Sequence, residues 1–90
     1  MLLPEHFTKQ LSLKEQILFV LSILKKATAD EVTMELMELK GIATEEGVAN
    51  LTIEVKNELK KMQEAHLLKQ VTETDKQVRY VVNRAGKISL

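Results

Sequence analysis

The side chains with most to offer chemically cluster in one stretch: Asn50, Ile53, Lys56, Asn57, Lys60 and Lys61. Val48, Leu51, Val55, Leu59 and Met62 recur there at helical spacing and take one side of the helix. Asn50, Ile53, Glu54, Asn57, Lys60, Lys61 and Glu64 are thereby left on the opposite side. Asparagine can pair with the edge of adenine, lysine with guanine or a phosphate, and isoleucine with a thymine methyl. Glu46, Glu54 and Glu64 would face the same polyanion and oppose it. The plain alternative is a solvated helix of mixed charge. Glu54 with Glu58, and Lys56 with Lys60, are like-charge pairs four residues apart and give that helix no support.

Other chemistry is sparse. Glu31, Glu35 and Glu38 form an acidic row beside Asp30; this reads as a solvated face or as a patch for a basic partner. Met34 and Met37 lie off the apolar stripe of the same segment. Packing in a helical core is the plainer account of them, and docking of a partner the other. His6 and His66 are isolated, and no spacing of histidine and carboxylate supplies a metal-ligand set. The chain has no cysteine, which removes disulfides, a thiolate nucleophile and a cysteine zinc site. Gly41, Gly47 and Gly86 are scattered and cradle no phosphate. Phe7, Phe19 and Tyr80 are too few for stacking of single-stranded bases. We expect no catalytic site, metal, cofactor or small-molecule ligand, and therefore no enzyme.

The elements that hold these groups can be read locally. Ninety residues make one domain, with residues 1–10 as a lead segment and 11–90 as the folded body. Pro4 can open a short turn, and Leu2, Leu3 and Phe7 can fold back on the body or fray. Ser12-Leu13-Lys14-Glu15 is a capping box that opens a first helix, with Leu13, Ile17, Val20 and Leu24 as its stripe. Leu18, Phe19 and Ile23 fall outside that stripe, so this helix needs cover on a second side, from the lead segment or from a second copy. Thr28-Ala29-Asp30-Glu31 is another capping box; Val32, Leu36 and Leu39 follow, and Lys40-Gly41 closes the helix. A third helix begins near Thr44. It either runs unbroken to about Ala65 or breaks near Asn50, and Gly47 weakens the longer form by about 1 kcal/mol relative to alanine. Leu68–Val71 and Val78–Val82 are β-prone runs on either side of the polar turn Thr72–Gln77. Val78, Tyr80 and Val82 share one face, and Arg79 points the other way. The tail Asn83–Leu90 adds one turn or simply ends. The longest apolar run, Ile17–Leu21, is far short of a membrane span, and the first residues lack a secretory pattern. A soluble cytoplasmic protein is the expectation.

Helix, capped helix, helix, hairpin is the order of the winged-helix fold, an α+β class. Leu59-Lys60-Lys61-Met62-Gln63-Glu64-Ala65-His66-Leu67-Leu68 resembles the end of the third helix in small bacterial winged-helix transcriptional regulators. Arg79–Lys87 resembles their second wing strand and the segment after it. Two departures stand out: His66 replaces the glycine that usually ends the helix, and Gly41–Leu51 is longer than the usual tight turn between the second and third helices. The resemblance implies a double-stranded DNA partner, with the third helix in the major groove and the wing on the backbone. Asn50, Ile53, Lys56, Asn57, Lys60 and Lys61 would then read or approach the groove, and Lys76 and Arg79 would hold phosphates. A homodimer is the expected state. The formal charge is zero, but residues 1–55 carry −4 (five lysines against nine acids) and residues 56–90 carry +4 (eight cations against four acids). This uneven balance keeps open a protein-interaction module without DNA binding. Its contacts would be Glu31, Glu35, Glu38, Met34 and Met37, or the apolar sector around Phe19 and Ile23.

Overall fold

A computed structural model describes residues 6–83 and shows three helices followed by a two-stranded antiparallel hairpin. Helix α1 is Leu13–Leu24, α2 is Ala29–Lys40 and α3 is Glu45–Glu64; strands β1 (Leu68–Thr72) and β2 (Val78–Val82) follow. This α+β layout matches the winged-helix arrangement. The expectations for Leu2, Leu3, Pro4 and residues 84–90 fall outside the described residues.

Both capping boxes form. Ser12 accepts from the Glu15 backbone N–H while the Glu15 carboxylate accepts from the Ser12 N–H, and Thr28 and Glu31 do the same. Gly41 closes α2 in the left-handed region at φ 69, with the Ile42 N–H donating to the Met37 carbonyl. Helix α3 is unbroken, because the long stretch after Gly41 is absorbed into its first turns. Thr44 caps it by accepting from the Gly47 N–H at 3.0 Å. Glycine is required at position 47, since an added Cβ would lie 2.8 Å from the Ile42 Cγ2 and 2.9 Å from that capping hydroxyl.

The core is the meeting of the three helices. Leu51, Val55, Leu59 and Met62 of α3 bury fully against Ile17, Leu18, Val20 and Leu21 of α1 and Val32 and Leu36 of α2. Two details of the α1 stripe differ from the periodicity. Leu24 is 36 % exposed at the helix end, and Leu18 and Leu21 take interior places instead. Lys25 and Lys26 lie beyond the end of the helix. The second side of α1 is covered by the segment before it. Phe7 packs on Phe19 with ring centroids 5.8 Å apart, and the Gln16 amide donates to the Leu11 carbonyl. Ile23 stays outside this cover, at 58 % exposure.

The turn from α3 into the hairpin is made at a left-handed residue. His66 stands at φ 63; its N–H donates to the Gln63 carbonyl and the Leu67 N–H reaches back to the Met62 carbonyl. These are the two bonds of a Schellman ending, in which the left-handed residue is usually glycine. The hairpin pairs Leu68 with Val82 and Thr72 with Val78, so Thr72 belongs to the strand and the loop is Glu73–Gln77. Ala27, between α1 and α2, adds a third edge. Its N–H donates to the Tyr80 carbonyl at 3.2 Å and its carbonyl accepts from the Tyr80 N–H at 2.7 Å.

Two stability outcomes follow from these backbone constraints. His66→Gly removes the steric cost of a left-handed L-residue and raises stability by about 1 kcal/mol, read as a higher urea midpoint at unchanged m-value. Gly47→Ala lowers the midpoint. The helix-propensity gain of about 1 kcal/mol is outweighed by a clash that also dislodges the Thr44 cap, itself worth about 1 kcal/mol.

Candidate nucleic-acid interface

Because the apolar stripe of α3 is fixed inward, its polar side is fixed outward. Asn50, Ile53, Lys56, Asn57, Lys60 and Lys61 are all exposed, Ile53 at 60 %. They do not form one row. At 3.6 residues per turn, Lys60 is displaced by only about 40° from Lys56, whereas Lys61 is about 100° beyond Lys60. One flank carries Ile53, Lys56 and Lys60. Lys56 lines a shallow groove with Gln77 and Val78 of the hairpin and Thr28, Ala29 and Asp30 at the start of α2. The other flank carries Asn50, Glu54 and Lys61, with Asn57 between the two. Lys61 sits with Lys14, Glu58 and Leu67 on the side toward α1, away from the wing. The structure therefore brings Lys56 beside the wing, with Lys60 one turn further along the same flank, and turns Lys61 onto the other.

The wing cations are used differently from one another. The Arg79 guanidinium grips the Asp75 carboxylate with both arms, Nη1 to Oδ1 at 3.0 Å and Nη2 to Oδ2 at 2.9 Å. The Gln77 N–H also donates to Asp75 Oδ1 at 3.0 Å. Charge-assisted bidentate pairing of this kind is directional, so it sets where Arg79 points. Lys26 pairs with Glu73 at the start of the loop. Lys76 is exposed at the loop's left-handed position, φ 65, with its N–H donating to the Glu73 carbonyl at 2.9 Å. Of the two wing residues expected to hold phosphates, Lys76 is presented outward and Arg79 is committed to Asp75.

The remaining candidates fall into place around this surface. Met37 packs partly against the core, while Met34 is 62 % exposed. Met34 shares a groove with Leu24, Glu31, Glu35 and Glu38. Phe19 is covered by Phe7. Among the described residues no three histidine, aspartate or glutamate side chains converge on a metal position, and no described helix is long and apolar enough to cross a membrane.

Sequence reading missed the Arg79–Asp75 fork and the Ala27–Tyr80 bridge. The first carried a signal, opposite charges four apart across a turn, but only the loop geometry makes them meet. The second carried none, since it is a contact of backbone groups alone. Comparison with protein-family models, with curated proteins and with solved structures finds no match to the chain.

The hydrogen bonds from Arg79, and then from the Gln77 N–H, hold the Asp75 carboxyl down at about 2, against 3.8 for a free aspartate. A carboxylate whose value falls on folding stabilises the fold above the free value; here that contribution is complete above 3.8 and is lost as pH falls through about 2. Carboxyl-detected NMR titration should place Asp75 near that low value in the parent chain. In Arg79→Gln it should return most of the way to that of a free aspartate, and the midpoint of the wing shifts that follow its titration should rise with it from about 2 toward 3.8.

Proposed function

We propose that this protein binds duplex DNA as a small transcriptional regulator of the winged-helix type, through the Ile53–Lys56–Lys60 flank of α3 and the adjoining wing. One observation carries the reading. Exposed Lys56 lines the same groove as Gln77 and Val78, so the third helix and the wing tip present one continuous surface. A helix in the major groove with a wing on the neighbouring backbone needs that continuity. Lys56 and Lys60 serve as phosphate or guanine contacts, Ile53 as an apolar contact to thymine, and Lys76 as a backbone contact. Asn57, between the flanks, is the residue placed to read an adenine. The left-handed His66, where small bacterial winged-helix regulators usually carry glycine, supports the likeness to those proteins at the level of backbone geometry.

The charge layout limits affinity. Glu54 and Glu58 oppose a polyanion toward the Asn50–Lys61 flank, and Asp30, in the groove with Lys56, and Glu64, about 40° round the helix from Lys60, oppose it on the wing side. Internal pairing of Lys26 with Glu73 and of Arg79 with Asp75 removes two cations from the electrostatic footprint. Binding is therefore modest and rests on three lysines.

Fluorescence anisotropy with random-sequence duplex tests this. The parent chain should bind with an affinity that falls with salt at a log–log slope of roughly −3, from three phosphate contacts at about −0.9 each. Lys56→Glu with Lys60→Glu should lower affinity by about tenfold or more, and Lys61→Glu by much less. Binding that ignores salt, or that is lost with Lys61→Glu and kept in the Lys56/Lys60 variant, overturns the assignment.

A further inference from the structure

The face of α2 turned away from α3 holds an apolar groove that neither the core nor the DNA-facing surface uses. Its apolar part is the Met34 side chain, 62 % exposed, and Leu24 at the end of α1, 36 % exposed. Glu31, Glu35 and Glu38 line the same groove. A flexible thioether beside a leucine is a good seat for one apolar side chain of variable shape.

The charges decide what can sit there. The three glutamates make no ion pair among the described residues; Glu31 accepts the Thr28 N–H in its capping box, and Lys40, the cation nearest in sequence, falls about 200° round the helix from Glu38. A nucleic acid is repelled. A second copy docked two-fold on this face would set its own glutamates against these, and like charges brought together cost binding energy. A basic partner gains instead. Glu31, Glu35 and Glu38 are spaced i, i+4, i+7 along one side of α2, over about 10 Å at 1.5 Å per residue. A second helix lying alongside presents cations at that same spacing around one apolar anchor.

We propose that the Leu24–Met34 groove docks a basic amphipathic helix of a partner protein, one leucine-like anchor entering between Leu24 and Met34 and flanking lysines or arginines meeting Glu31, Glu35 and Glu38. The site is on a different face from the DNA-binding surface proposed above and stands without it. A regulator built this way would recruit a partner while its third helix is engaged.

The test uses the full chain, labelled with 15N, and synthetic helical peptides carrying a leucine anchor flanked by lysines, made in each register of the heptad. Glutamate-for-lysine counterparts are the controls. At least one lysine peptide should shift the amides of Leu24 and of residues 31–38 and the Met34 methyl, while its glutamate counterpart does not. Glu35→Lys with Glu38→Lys should weaken that peptide at least tenfold, and Met34→Ala severalfold. Both changes lie at surface positions, and Met34→Ala should leave duplex binding unchanged. The proposal falls if no register binds, if the glutamate peptides bind equally well, or if the same amides move with protein concentration alone, which would assign the groove to a second copy.

Discussion

Two backbone hydrogen bonds, between Ala27 and Tyr80, decide where the wing lies. A free two-stranded hairpin is marginal in water, because it has little apolar area to bury. Here β2 gains a third edge from the connection between α1 and α2, and Ala27 is wholly buried beneath it. The hairpin is thus tied to the start of α2 as well as to the end of α3. With Leu68 in the core and Tyr80 and Val82 packed on it, the hairpin takes one direction, β2 against α1 and β1 against α3, with the start of β2 meeting the first turn of α2 beside Lys56. The groove that joins Lys56 to Gln77 exists because of that direction. Without the tie, the lysines of α3 would sit on an isolated helix surface, and the loop charges would belong to a separate, moving arm.

The same tie explains why local signals were legible and others were not. Capping boxes at Ser12 and Thr28, the glycine after Lys40 and the α3 stripe each involve residues within one or two turns, so the sequence states them outright. Two uncertainties were settled by packing instead. Whether α3 breaks at Asn50 depends on whether Ile42 and Thr44 can close over Gly47, and they do, at less than 3 Å from where a side chain would begin. Whether the second side of α1 is covered depends on Phe7 reaching Phe19, which no periodicity encodes. Leu24 was misjudged for a related reason: it has the right phase for the interior, but the helix stops there and nothing packs beyond it. On the candidate interface, residue types were legible and their grouping was not. The sequence puts Lys60 and Lys61 side by side, whereas the helix turns them onto different flanks.

Net charge was a blunter guide than charge pairing. A total of zero argues against a general affinity for polyanions, yet the total says nothing about which groups are already spoken for. In the wing, Asp75 takes the charge of Arg79 and Glu73 that of Lys26, so that loop geometry consumes two cations and two acids together. Both pairs are partly exposed to solvent, which screens them, and so contribute little to stability. Their effect is to hold orientation: Arg79 bends back over its own loop instead of reaching outward. What remains facing outward on this side is a short lysine set on α3 and Lys76 at the tip. The two-armed geometry of a guanidinium, which suits a carboxylate or a phosphate, is at Arg79 already occupied by Asp75.

The distribution of acids then acquires a structural logic. Helix α2 touches both surfaces, with its N-terminal turn beside Lys56 and its acidic row on the side of Leu24. Carboxylates within the first turn are favoured by the helix dipole, which accounts for Asp30 and Glu31. The dipole effect fades within a turn and gives no reason for Glu35 and Glu38. Solubility alone would be served as well by mixed charge, which is what α3 carries. A run of one sign beside exposed Met34 and Leu24 is costly in the free chain, through repulsion between carboxylates and apolar surface left in water, and that cost is relieved by a cationic, partly apolar neighbour. The chain thus carries a neutralised wing and a short lysine flank on one side, and the acidic row of α2 beside exposed Met34 on the other.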